Sequence, residues 1–270
     1  MQGSFNPFDD AFVAKIPPPP SVYYLSHLAL GEGWQTTLTY LNFSASQVTC
    51  QTAFLNDAGA PLAVPFGGPP ASSRTDVLAP GGSIHSESTA DLGSPVQAGW
   101  ARVECSAPIK PSILFRYYKQ GVPTGEASVN ASQIPAKRFV TFAEQRTGVA
   151  YANPSAQAAQ VTFTAKNTAG QTIATANLTL QPGAHGAKNL DTLLGITSFV
   201  GSTQIVSTVP IVTLSLNFEA FPVLSSLPPG DFDDSAPPSV QTYYLPHLAL
   251  GGGWQTTLTY LNFSTSQVTC

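Results

Sequence analysis

A 28-residue string that recurs almost unchanged constrains this chain more than any other feature. Residues 23–50 read YYLSHLALGEGWQTTLTYLNFSASQVTC, and residues 243–270 read YYLPHLALGGGWQTTLTYLNFSTSQVTC. They differ only at Ser26/Pro246, Glu32/Gly252 and Ala45/Thr265. Chance does not produce such identity, so the chain is read as one full tandem unit and the opening of a second. It stops in mid-strand at Cys270, which reads as the edge of a fragment.

A weaker repeat lies inside the unit. Leu41-Asn42-Phe43-Ser44 followed by Gln47-Val48-Thr49-Cys50 matches Ala152-Asn153-Pro154-Ser155 followed by Gln160-Val161-Thr162-Phe163. Each copy continues through a turn (Asn56-Asp57-Ala58-Gly59; Asn167-Thr168-Ala169-Gly170) to a Pro-Gly step (Pro80-Gly81; Pro182-Gly183). Each closes on a strand, Trp100 to Cys105 or Thr203 to Ser207. Two halves of about 100 residues are the size of sandwich domains.

The strand signals agree. Val48, Cys50, Thr52 and Phe54 alternate with Thr49, Gln51, Ala53 and Leu55, a two-residue period. Val161, Phe163 and Ala165 alternate in the same way. With 24 Pro and 22 Gly the chain is punctuated at the spacing of short strands joined by turns. The expectation is an all-β fold: two tandem immunoglobulin- or fibronectin-like antiparallel β-sandwiches plus the truncated start of a third. The boundaries are a remnant and Pro-rich linker at 1–20, sandwich 1 at 21–120, a linker at 121–137, sandwich 2 at 138–226, a linker at 227–240, and the next repeat's start at 241–270.

Charge excludes some functions. Only 10% of residues are charged and the net charge is −4, so no basic footprint for nucleic acid exists. No apolar run reaches the length of a membrane-spanning helix. Residues 1–7 lack the basic and apolar regions of a signal peptide, so any export signal is expected upstream.

Catalytic and cofactor signatures are not found. His27 and His247 occupy the same repeat position, with Phe142 as the expected counterpart in the second half, which makes this a packing position. His85 and His185 follow Pro-Gly turns and are expected at the surface. The sequons at Asn42–Ser44 and Asn177–Thr179 carry little weight. No metal, no cofactor and no catalytic residue is assigned, and the chain is read as a non-enzyme. Cys50 and Cys105 lie on inward faces of an early and a late strand, which resembles the inter-sheet disulfide of immunoglobulin-like domains, and the second half has Phe163 and Ser207 at the matching places, lacking both partners together as a disulfide predicts. The alternative is a pair of buried thiols acting as small hydrophobes. Tyr23, Tyr24 and Trp34 are the candidates for stacking on a sugar ring, against the alternative that Trp34 and Trp100 plug sandwich ends with one face buried.

The runs His27–Thr39, Gly99–Val103 and Thr147–Ser155 are similar to a repeat of very large exported surface proteins of soil bacteria. The resemblance spans roughly residues 23–224 and implies paired immunoglobulin-like sandwiches and export, with no known binding residues. Glu32 departs from it, since glycine is usual there. Asp10–Ile16 resembles the closing strand of a bacterial β-propeller repeat. The leading functional reading is a non-catalytic structural or adhesive module of an extracellular or cell-surface protein. Its partners would be polysaccharide, other surface proteins or neighbouring repeats. The alternative is a carbohydrate- or matrix-binding accessory module.

Overall fold

The computed structural model describes residues 20–231 apart from 90, 145, 219 and 220, together with 245, 248–253, 256–262 and 269. The first half supplies β1 (Ser21–Leu30), β2 (Trp34–Leu41), β3 (Val48–Asn56), β4 (Ser73–Leu78), β5 (Ser83–Glu87), β6 (Gln97–Cys105), β7 (Lys110–Lys119) and β8 (Val122–Asn130). These pair as two antiparallel sheets, β1-β6-β3-β4 and β5-β2-β7-β8. The second half supplies β9 (Ala136–Ala143), β10 (Thr147–Ala152), β11 (Ala159–Asn167), β12 (Thr172–Leu180) and β13 (His185–Asn189). A one-turn helix, α1 (Leu190–Leu194), then leads to β14 (Gly201–Asn217) and the two-residue strands β15 (Ser225–Ser226) and β16 (Gly230–Asp231).

The second half repeats the strand order of the first. The beginning of β14 lies between β11 and β9, as β6 lies between β3 and β1. The end of β14 pairs with β10, as β7 pairs with β2. One continuous strand therefore does what β6 and β7 do separately, crossing between layers near Pro210, whose missing N–H suits a break in the ladder. The antiparallel all-β sandwich holds. In both halves the first strand lies beside the sixth-position strand; in the immunoglobulin constant order it lies beside the second.

Period-two burial carries the cores. Val48, Cys50, Thr52 and Phe54 are buried in β3, and Val161, Phe163 and Ala165 in β11. On β6, Ala101, Val103 and Cys105 face the same interior.

Four expectations need correction. Residues 121–137 are not a linker: Val122–Asn130 is β8, paired with β7, and Ala127 and Val129 pack on the core. Its inward positions are small and its outward ones polar, so the apolar alternation is too thin to read. At 227–240, Leu227 donates to the Ser215 carbonyl and Gly230–Asp231 pair with β9, so the start of this stretch is docked. The repeat alignment slips by two residues. Val48 and Ala159 pair equivalently with Leu78 and Leu180, so Val161, not Phe163, corresponds to Cys50. Finally, Cys50 and Cys105 are disulfide-bonded, but as direct cross-strand partners of β3 and β6 in one sheet, with Cα atoms 4.0 Å apart. The bridge staples neighbours within a layer and does not join the two layers. The propeller-like residues 10–16 lie outside the described residues.

Candidate functional site at the junction of the sandwiches

Alternation along β6 sends Trp100 to the opposite face from Ala101, Val103 and Cys105, out of the first core. An outward Trp would ordinarily meet solvent, yet Trp100 is only 2% exposed. The second half covers it. Its Nε1–H donates to the Gly183 carbonyl at 2.7 Å, and it packs with Ala152, Val212, Tyr24 and Leu55. The burial of a large amphipathic ring with its N–H satisfied favours a fixed contact. Beside it, Ala150, Leu214 and Leu216 of the second half merge into the core cluster of the first.

Two turns meet at this junction. In the first, Asn56 Oδ1 accepts from the backbone N–H of Ala58 and Ala60 and holds a tight bend that presents Asp57. The second runs from Pro182 to His185. Gly59 and Gly183, both at positive φ (77° and 74°), touch back to back. A Cβ on Gly59 would lie 2.9 Å from the Gly183 carbonyl carbon, so the approach requires glycine.

A relay of polar side chains crosses the same contact. His185 donates from its backbone N–H to the Asp57 carbonyl, 3.1 Å, and from ring Nδ1 to Asp57 Oδ1, 2.7 Å. That leaves Nε2 of His185 to accept from Nδ1–H of His27, 3.1 Å away. The two imidazoles lie nearly parallel, with centroids 5.2 Å apart, and the Phe115 ring lies tilted against His27 at 5.4 Å. Burial first, and then the neighbouring His185, hold the His27 imidazole well below its usual range. His27 also lines an open pocket of about 310 Å³ with Gly148, Ala150, Leu214, Leu216 and Phe218 of the second half, and Lys188 stands on its wall.

This arrangement has a pH signature. The unfolded chain takes up a proton on His27 near pH 6.5, whereas the folded chain stays neutral there. Stability is therefore full above about pH 6.5 and falls as the pH is lowered, by at most about 1.4 kcal/mol per unit, until the folded imidazole also protonates. Urea midpoints between pH 7.5 and 5.5 should show this slope, and His27→Phe, the residue type at position 142, should flatten it. Equal slopes in the two proteins would remove His27 as the cause.

The other sequence-derived site residues fall as follows. Tyr23 is 2% exposed, and its hydroxyl accepts from the Ile109 N–H at 2.9 Å, so it is a core residue and presents no ring to a sugar. Tyr24 lies against Trp100, and its backbone pairs with Ser132. Trp34 is half-buried among Tyr117, Phe218 and Phe221. The three do not form one exposed row. His85 is exposed as expected, but His185 is buried, because the second sandwich presses its turn onto the first.

The Asp57–His185–His27 relay is not legible in the sequence, since its members are separated by 128 and 158 residues. The available signal is Trp100, a large ring on the outward side of an alternating strand. Asn42 of the first sequon is buried and engaged, whereas Asn177 of the second lies exposed on β12. Among the described residues no cluster of His, Cys, Asp and Glu is arranged to hold a metal ion. No helix of the described residues is long and apolar enough to cross a membrane. No family model, curated protein or solved structure matches the chain.

Proposed function

We propose that this chain is a non-catalytic structural and adhesive repeat module of an extracellular or cell-surface protein. The observation that carries the reading is the buried junction. Trp100, Gly59, Gly183 and the Asp57–His185–His27 relay lock two sandwiches into one stiff unit, and the sequence then begins that unit again after 220 residues. Repetition of a stiff unit serves reach and avidity. The buried intrasheet disulfide, in a chain with few charges, supports an oxidising compartment. Neighbouring repeats are the partners this design favours first.

Stretching a single tethered chain tests the mechanical role. A spacer should resist and then yield in discrete unfolding steps, whereas smooth extension without steps would sink the reading. Incubation with insoluble polysaccharides provides the second arm. A spacer is not retained, and retention that Phe221→Ala abolishes would transfer the assignment to a matrix-binding module, because Phe221 is the most exposed ring of the Trp34 cluster.

A further inference from the structure

The segment at 248–261 repeats the turn and the threonine contact of the β1–β2 hairpin, but its described residues form no strand and its core-type side chains are exposed. Its turn, Gly251-Gly252-Gly253, has φ values of 80°, 57° and 87°, against 82°, 47° and 90° at Gly31-Glu32-Gly33. Thr256 Oγ1 donates to the Ala249 carbonyl and accepts from the Ala249 N–H, as Thr36 does with Ala29. Yet Leu258 and Tyr260 are 47% and 67% exposed, where their counterparts Leu38 and Tyr40 are 1% and 0% exposed core residues. Leu248 and Leu250 stand exposed in the same way, against buried Leu28 and Leu30. The segment thus displays apolar side chains whose complementary surface is the β6 and β7 edge of a first sandwich. Among the described residues, the surface of that kind is already filled by β1 and β2.

We infer that this segment is an exchangeable copy of β1–β2, and that its partner is the first sandwich of a second copy of the chain. The donor reproduces every buried side chain of the segment it would replace except Ser26. That exception is tolerable. Ser26 lies in the bulge between Leu25 and Leu28, outside the paired register, where Pro246 removes no ladder bond. At the turn the donor is the better fit, since Gly252 occupies the left-handed position that Glu32 holds at φ 47°. Exchange of identical elements costs little beyond association, because each interaction given up within one chain is remade with the other. The joint is head to tail: the segment near residue 250 of one chain enters the sandwich near residue 30 of the next. Such a joint need not close, so it propagates into linear assemblies. Exchange of this kind operates whether or not the module is a spacer.

The test is refolding of the 270-residue chain from denaturant, with reductant present so that the first sandwich opens, followed by mass measurement on a sizing column with light scattering. Refolding at high concentration should give dimers and longer species, and refolding at low concentration should give monomer. Leu258→Asp with Tyr260→Asp should abolish the larger species while leaving the first sandwich folded. A chain carrying Leu38→Asp and Tyr40→Asp supplies the complementary test. Its own β2 cannot enter the core, while its segment at 248–261 is intact, so alone or mixed with the unaltered chain it should regain a folded first sandwich only within dimers and longer species. Refolded protein that stays monomeric at every concentration overturns the inference. So does restoration of the Leu38→Asp/Tyr40→Asp chain as a monomer, which would place the segment in its own chain's sandwich.

Discussion

Replacing Cys50 by Val and Cys105 by Ser should destabilise the first sandwich by about 4 kcal/mol, the loop-entropy value for a bridge closing a 55-residue separation. The choice of residues isolates the bond. Val161 and Ser207 are the pair the second sandwich uses at the same register between the same two strands, so both side chains are known to fit that geometry. Both cysteines are buried, and shape is nearly conserved, so the loss is assigned to the covalent link and not to a cavity. The measurement is a urea unfolding curve with and without reductant. Reduced wild type should unfold with the double variant, and oxidised wild type well above both. A difference below about 1 kcal/mol would mean that the denatured first half is already compact enough for the bridge to add little.

Asn42→Ala and Asn153→Ala should each cost about 3 kcal/mol, as two or three buried hydrogen bonds are lost together and carbonyls are left unpaired. Asn42 Nδ2 donates to the carbonyls of Ser46, Leu78 and Ala79 at 2.8, 3.3 and 2.9 Å, and its Oδ1 accepts from the Ser44 N–H and hydroxyl. Asn153 repeats the pattern on Gln157, Leu180 and Gln181, with Ser155 as donor. One amide thus ties the β2–β3 loop to the turn before β5, and its twin does so in the second half. Asp at either position should be as damaging as Ala, because a carboxylate would face carbonyls that require a donor. An Asp variant as stable as wild type would show that filling the site matters more than donating. Thermal unfolding of the four single variants reads this directly.

These residues also show where sequence reasoning succeeds and where it cannot. The Asn-x-Ser pair is visible as a repeat, yet its function as the anchor of the repeat is not. The similar strings Gln47-Val48 and Gln160-Val161 draw the alignment two residues away from the correspondence that Asn42 and Asn153 enforce. The inward alternation of β3 and β11 is legible because hydrophobic period reports on one face of one strand. The assignment of β6 to the place beside β3 is not, because which strands become neighbours is decided by contacts between distant segments. The same limit hides β8, whose inward Ala127 and Val129 mean little until β7 lies alongside.

The two copies of one sequence separate the local from the tertiary contribution. The sequence alone determined the Gly-rich turn and the threonine clamp. Both form at 29–36 and again at 249–256 with matching geometry, because glycine's freedom at positive φ and a hydroxyl seven residues away act within reach of the chain itself. Tertiary structure decided the fate of the side chains. Leu38 and Tyr40 are core while Leu258 and Tyr260 stand in solvent, and Trp100 and His185 are buried despite outward or turn positions. Burial is a property of what lies opposite, supplied by strands far away in sequence whose approach no local pattern encodes.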